Sequence, residues 1–279
     1  MNGDQLKRLC NSHSRMIQYG YLFILFLLID SIDCSAQVIP LPGAHAHNDY
    51  QHDRPLFDAL ENGFTSIEVD VLLIDNELLV GHDLPEEGYH GLPTLLETYL
   101  LPLDSIIRKN EGSLYPGYDQ ISYLMIDIKS NAEESYKILN QQLQPFTSWI
   151  CQPHEQREGS IIIFLSGNRP IDTVVNDSNS LVSLDGRPED LGKGFSKDVM
   201  PVISQAFYKY SNWRGNGEMS EEDKVQIRNL ANEVHQENKL LRLWATPDNP
   251  EAWEILQVLG VDLINSDDLE GMSNYLLKK

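Results

Sequence analysis

Eight short apolar runs, separated by segments of helical character, restrict this chain more than anything else in it. They lie at Val38–Ala44, Thr65–Leu72, Ile121–Ile128, Ile161–Leu165, Leu181–Leu184, Val202–Ala206, Leu240–Ala245 and Val261–Asn265. Most are continuously apolar rather than alternating, the pattern of strands covered on both faces. Between them, Pro55–Glu61, Thr94–Arg108, Glu133–Leu143, Ser220–Gln236, Asp248–Leu259 and Asp268–Leu277 read as helices. Ser220-Glu221-Glu222-Asp223 opens one of these with a capping serine and acids that suit the helix dipole. Residues 168–198 are rich in Gly, Asn, Asp and Pro and read as loops with at most short helices. Strands alternating with helices argue for a parallel sheet. Eight such repeats in 279 residues favour an α/β fold closed as a (β/α)8 TIM barrel, which needs ~250 residues, over an open doubly wound sheet. Neither a dinucleotide-binding glycine fingerprint nor a P-loop is present, which argues against both chemistries.

The N-terminal segment reads as a processing signal. Lys7, Arg8 and Arg15 precede the apolar run Tyr21–Ile29, and Cys34-Ser35-Ala36 follows. A basic region, a short apolar region and a small terminal residue describe a secretory signal peptide. The run is roughly half the ~20 residues a membrane span needs. The expected organisation is a signal over 1–36 and a barrel over 37–279, secreted or periplasmic after cleavage near Ala36. Cys151 is then the sole cysteine of the mature chain, which excludes an intramolecular disulfide, and reads as a small buried apolar residue. The net charge of −21 makes the protein a poor non-specific partner for nucleic acid or anionic membrane. It is compatible with a bound divalent cation.

The polar residues gather where such a barrel places its chemistry, at the C-terminal ends of the strands. His45 and His47 follow the first run. Glu68 and Asp70 lie late in the second, and His82-Asp83 ends an extended piece after it. Asp127 and Lys129 end the third run, Asn168 and Arg169 follow the fourth, Asp185 and Arg187 the fifth, Trp244 the seventh, and Ser266-Asp267 the eighth. Strand side chains repeat every second residue, so Glu68 with Asp70, and Asp127 with Lys129, each point one way. A charge on a doubly covered strand is costly unless it is paired or bound to metal. Carboxylates flanked by histidines suit metal-assisted acid–base chemistry. His45 and His47 compete for one role in it.

These residues resemble the phosphodiesterase superfamily on the PLC-like barrel, which includes glycerophosphodiester phosphodiesterases, phosphatidylinositol-specific phospholipase C and sphingomyelinase D. The matching pieces are A-H-A-H-N-D at 44–49, G-F-T-S-I-E-V-D-V at 63–71, L-L-V-G-H-D at 78–83, I-D-I-K at 126–129 and L-W-A-T-P-D with G-V-D-L-I-N-S-D across 243–267. HAHNDY followed by PLFDAL is most similar to a branch related to the altered-inheritance-of-mitochondria proteins. The resemblance implies that Glu68, Asp70 and Asp127 bind one divalent cation, Mg²⁺ or Ca²⁺. It implies an acid–base pair of His82 and a histidine after the first strand, with His47 preferred over His45 by its spacing to Glu68. Lys129 would contact a phosphoryl oxygen and Trp244 would line the cleft. The implied substrate is a small phosphodiester or lipid head group.

The chain departs from the glycerophosphodiesterase pattern twice. His47 is followed by Asn48-Asp49 where H-R-G is usual, and Pro55 by Leu56-Phe57 where P-E-N-T supplies a metal-binding glutamate. Three carboxylates are closer to the sphingomyelinase D set. Asp49 is the candidate replacement oxygen and Arg54 the candidate replacement arginine. The second departure motivates two alternatives: a catalytically silent barrel binding a phosphorylated or carbohydrate ligand, and a phosphomonoesterase.

Overall fold

The computed structural model describes residues 37–83, 88–89, 91–154 and 159–279; the expected signal, 1–36, lies outside them. Every named element falls in one compact unit, Val38–Lys279. The strands are β1 (Leu41–Ala46), β2 (Phe64–Ile74), β3 (Glu77–Val80), β4 (Ser122–Ile128), β5 (Ile161–Gly167), β6 (Ser183–Gly186), β7 (Val202–Ala206), β8 (Leu240–Trp244) and β9 (Leu263–Ser266). Their order is β1-β9-β8-β7-β6-β5-β4-β2-β3, and β1 also pairs with β2. The eight strands other than β3 are mutually parallel and close on themselves. This is the expected (β/α)8 barrel, a closure that leaves no edge among the eight.

The α-helices are α1 (Phe57–Glu61), α2 (Leu101–Lys109), α3 (Ala132–Leu143), α4 (Ile171–Asn176), α5 (Glu221–Gln236), α6 (Pro250–Val258) and α7 (Leu269–Leu276). A π-helical turn, Leu96–Leu100, runs directly into α2. α5 begins where its sequence says it should. The Ser220 hydroxyl accepts a hydrogen bond from the Asp223 N–H at 3.1 Å, and three acids fill the first turn. Ser220→Ala should therefore lower unfolding free energy by about 1 kcal/mol, read from denaturant melts; no change would mean that the first turn is held by packing alone.

Alternation along the strands divides the apolar residues into two cores. Outward side chains such as Val69, Ile126, Ile163, Leu184, Ile203, Leu241 and Ile264 belong to one large cluster with residues of the helices. Inward, Met125, Phe164, Val202 and Leu263 form a separate cluster that plugs the barrel. The register places polar side chains above that plug. Glu68 pairs with Met125 and Asp70 with Asp127, Asp127 with Ser166, Ser204 with Arg242, and His45 with both Ser66 and Asn265. The interior is thus apolar below and charged toward the C-terminal ends of the strands.

Two local features set the height of the site. β1 continues through Ala46, past the expected end at Ala44, so His45 lies within the strand rather than after it. β2 has eleven residues, and its far end pairs antiparallel with β3. Asp75 and Asn76 turn this hairpin with φ of 49° and 65°, the left-handed pair a tight two-residue turn requires. β3 brings the chain back until the Gly81 N–H donates to the Asp70 carbonyl at 3.0 Å. His82 therefore follows directly on a backbone bond to Asp70.

Candidate active site

Glu68, Asp70 and Asp127 converge at the barrel mouth, each offering an oxygen within 4.8 Å of the others. Asp70 and Asp127 are register partners on adjacent strands, an arrangement that sets like charges side by side. Lys129 mediates between them, its Nζ 3.4 Å from Asp70 Oδ2 and 3.1 Å from Asp127 Oδ1. Burial raises the pKa of both aspartates, and Lys129 only partly offsets it. Burial works to lower Lys129 as well, but the two carboxylates outweigh it and hold the ammonium above its ordinary pKa. The Tyr50 hydroxyl donates to Asp70 Oδ2 at 2.9 Å. Asp70 Oδ1 is buried with no hydrogen-bond partner, which is costly for a carboxylate oxygen. Three converging carboxylates, Asp70 with a buried oxygen unsatisfied, fit an oxygen-ligated cation such as Mg²⁺ or Ca²⁺.

Below this point lies a buried network that the sequence reading did not anticipate. Arg242, inward on β8, donates through Nη2 to Glu68 Oε2 and through Nε to Asn265 Oδ1 at 3.2 Å. His45 Nε2 lies 3.0 Å from Glu68 Oε2, and its Nδ1 lies 2.7 Å from Ser66 Oγ. Burial would raise the Glu68 pKa, but the Arg242 guanidinium and the His45 hydrogen bond overcome it and hold Glu68 down at about 2. Burial, reinforced by the Arg242 charge, lowers His45 to about 4, so the ring is neutral at pH 7. His45 is fully buried. Its contacts make it a support for Glu68 rather than a group at the mouth.

His47 stands one residue past β1, where its N–H donates to the Ser266 carbonyl. Its Nδ1 is 2.8 Å from Asp267 Oδ1, and its side chain is 29% exposed. Burial works to lower its pKa, but the Asp267 hydrogen bond and the Glu68 charge prevail and raise it. His82 is more open, with its Nδ1 2.8 Å from Asp83 Oδ2. Trp244 closes β8 and meets Tyr208 edge to face, ring centroids 5.8 Å apart.

Two sequence candidates have other partners. Arg54 pairs with Asp58 and Glu61 of α1, so its guanidinium is held by surface carboxylates and not by the acidic cluster. Asp49 is buried, and its Oδ2 accepts from the Leu56 N–H at 2.6 Å and the Tyr99 hydroxyl at 2.8 Å. It braces the turn into α1 instead of joining the three carboxylates. Arg242 did carry a signal: a lone charge in the middle of Leu-Leu-Arg-Leu-Trp has no comfortable place on a doubly covered strand. Tyr50, Ser66 and Tyr208 carried none.

Gly167 makes the site possible from β5. It has φ +63°, and a Cβ built there would overlap Asp127 Oδ1 and the Ile128 carbonyl. Gly167→Ala should displace the Asp127 carboxylate, with left-handed strain of ~1–2 kcal/mol in addition. The expected result is weaker cation binding by calorimetry together with a lower melting temperature; unchanged binding would mean Asp127 is not a ligand.

The chain is thus a closed parallel (β/α)8 barrel with an acidic cluster at its C-terminal mouth. The chain belongs to the family described as the AIM6-like phosphodiesterase domain, which matches residues 32–182, more than half its length. It is 27% identical over 274 residues to the altered inheritance of mitochondria protein 6 homolog of Arthroderma benhamiae, covering 87% of this chain and 86% of that protein. It is also 27% identical over 276 residues to altered inheritance of mitochondria protein 6 of Saccharomyces cerevisiae, covering 83% and 70%. Among solved structures, a protein assigned as a glycerophosphoryl diester phosphodiesterase from Silicibacter pomeroyi DSS-3 shares the fold, with a TM-score of 0.50 and 11% identity over 87% of this chain and 94% of that one. No helix among the described residues is long and apolar enough to cross a membrane.

Proposed function

We propose that this protein is a metal-dependent phosphoric diester hydrolase acting on a small phosphodiester or lipid head group. The observation that carries the reading is the convergence of Glu68, Asp70 and Asp127, with a buried Asp70 oxygen left unpartnered. These three residues would hold one cation, Mg²⁺ or Ca²⁺, which when bound would supply positive charge to offset the negative charge that develops on the phosphoryl group. Lys129, between two of them, adds a second positive contact to the phosphoryl group. Arg242 and His45 keep Glu68 ionised and fixed in place. His47 has its Nδ1 on Asp267, an arrangement that leaves Nε2 to take a proton from the attacking water or substrate hydroxyl. A bond forms from that oxygen to phosphorus as the bond to the leaving alkoxide breaks, and His82 gives the alkoxide its proton. Trp244 with Tyr208 lines the cleft wall on the β8 side.

The test is turnover of a panel of phosphodiesters by the purified protein, with EDTA, Mg²⁺ or Ca²⁺. Cleavage that EDTA abolishes and a divalent cation restores supports the reading. Full activity in EDTA would sink the metal role. Preference for monoesters would favour a phosphomonoesterase, and ligand binding without turnover would favour a silent binding barrel.

A further inference from the structure

On the side of the mouth away from β1, two arginines meet at the ends of β5 and β6. Arg187 is anchored from several directions. Its Nη1 donates to Asp185 Oδ2 at 2.7 Å and to the Gly186 carbonyl at 2.8 Å. Its backbone N–H donates to Asp190 Oδ2 at 2.9 Å. Asp185 is fully buried and also takes the Ser166 hydroxyl at 2.8 Å, and Ser166 is the register partner of Asp127. Arg187 is thus held two strands from Asp127, on the same inner face.

Arg169 is different. It donates through Nη1 to the Asp185 carbonyl, and its Nε is buried with no hydrogen-bond partner. Among the described residues no carboxylate forms an ion pair with it, although acids outnumber bases two to one in this chain. A guanidinium has five N–H donors, and among the protein's own groups Arg169 uses Nη1 on the Asp185 carbonyl while its buried Nε has no partner. Burial and the neighbouring Arg187 charge both depress its pKa. Asp190, the nearby acid on the following turn, is already paired with Lys193 at 3.0 Å. Counting Asp185 and Asp190 against Arg169, Arg187 and Lys193 leaves one positive charge over. Two guanidiniums brought together, one of them with no ion-pair partner among the described residues, are stabilised by an anion that both can bind, and their planar forks suit phosphate or carboxylate oxygens.

We propose that Arg169 and Arg187 form a second anion subsite, which takes a phosphate or carboxylate carried by the substrate in addition to its diester. Strands lie ~4.8 Å apart, so β6 is roughly 10 Å from β4 across the mouth. That separation suits a second anionic group on the same molecule better than another oxygen of the scissile phosphoryl group. The inference rests on the phosphodiesterase reading for the substrate's identity and on geometry alone for the subsite.

Calorimetric titration of inorganic phosphate into the EDTA-treated full-length protein at low salt tests the subsite. Arg169→Gln removes a side chain with no carboxylate partner, so it strands no buried acid; Arg187→Lys keeps a charge beside Asp185. Each should weaken phosphate binding by about tenfold or more, the loss of one or more charge-assisted hydrogen bonds, while Lys129→Gln should leave most of it. Melting curves exclude variants that do not fold. Undetectable binding to wild type, equal binding to wild type and Arg169→Gln, or binding lost only in Lys129→Gln would overturn the proposal. A parallel titration with succinate separates the two ligands: comparable binding extends the subsite to carboxylates, and phosphate binding alone restricts it to phosphate. Turnover of glycerophosphoglycerol and of its terminal phosphomonoester supplies the other arm. Arg169→Gln should raise the KM of the phosphorylated substrate relative to the plain one. If wild type cleaves neither, the phosphodiesterase reading falls while the phosphate titration still decides the subsite.

Discussion

His47→Ala is expected to cut diester turnover by ~10²–10⁴-fold, the range for loss of a general acid or base, with little change in folding stability. The ring is partly exposed, and its one side-chain hydrogen bond runs to the exposed Asp267, so its removal leaves no buried polar group unsatisfied. His82→Ala should produce a loss of similar size. The two losses should fall short of adding in the double variant if the histidines act as a unit. The pH profile carries a second readout. Because the His47 pKa is raised above 6.5, the ring stays protonated to higher pH than an ordinary histidine. As the base it must be neutral, so kcat/KM should climb with pH through that raised value. Asp267→Asn removes the negative charge from the partner that raises it, and the rising limb should move to lower pH. A profile that stays fixed in Asp267→Asn would separate the acid limb from His47. If His47→Ala and His82→Ala both retain near-normal cleavage, the acid–base pair is misassigned.

The fold was legible because strand and helix here follow from local pattern. Each of the eight apolar runs became a barrel strand, and Val202–Ala206 did so without a shift at either end. The ends moved where a backbone partner rather than a side chain decides them. β1 gains Ala46 because it pairs with Ile67 and Ser266 on both sides, and no composition rule reports a neighbour's register. That two-residue extension changes the meaning of His45. On the sequence alone His45 and His47 shared a face at i and i+2, and only the spacing to Glu68 favoured His47. In the barrel one is sealed beneath Glu68 and the other stands at the rim. The carboxylates of the site were visible as charges in apolar strands. Their supports were not, because Tyr50 comes from a loop and Arg242 from a strand 174 residues away from Glu68. The partners of Arg54 lie close by in the chain instead: acids four and seven residues ahead of it pair with its guanidinium.

Arg242→Met should be the most destabilising substitution near the site, by ~3–5 kcal/mol, because it leaves a buried carboxylate without its ion partner. Glu68 is buried on all sides, and the guanidinium is the group that keeps it ionised against burial. Methionine matches much of the arginine's stem, so the expected loss is electrostatic rather than a cavity. The comparison that isolates it is Arg242→Met with Glu68→Gln. An amide at position 68 needs no counter-charge, so the double variant should recover a substantial part of the stability lost in Arg242→Met alone, with a coupling of about 0.5–3 kcal/mol between contacting sites. Recovery of stability should not restore turnover, since the double variant lacks one of the three converging carboxylates. A double variant as unstable as the sum of its parts would mean that Arg242 holds the barrel through Asn265 and packing instead. Arg242 would then be a structural strut that happens to touch Glu68, and the ionisation of Glu68 would have to come from another charge at the mouth.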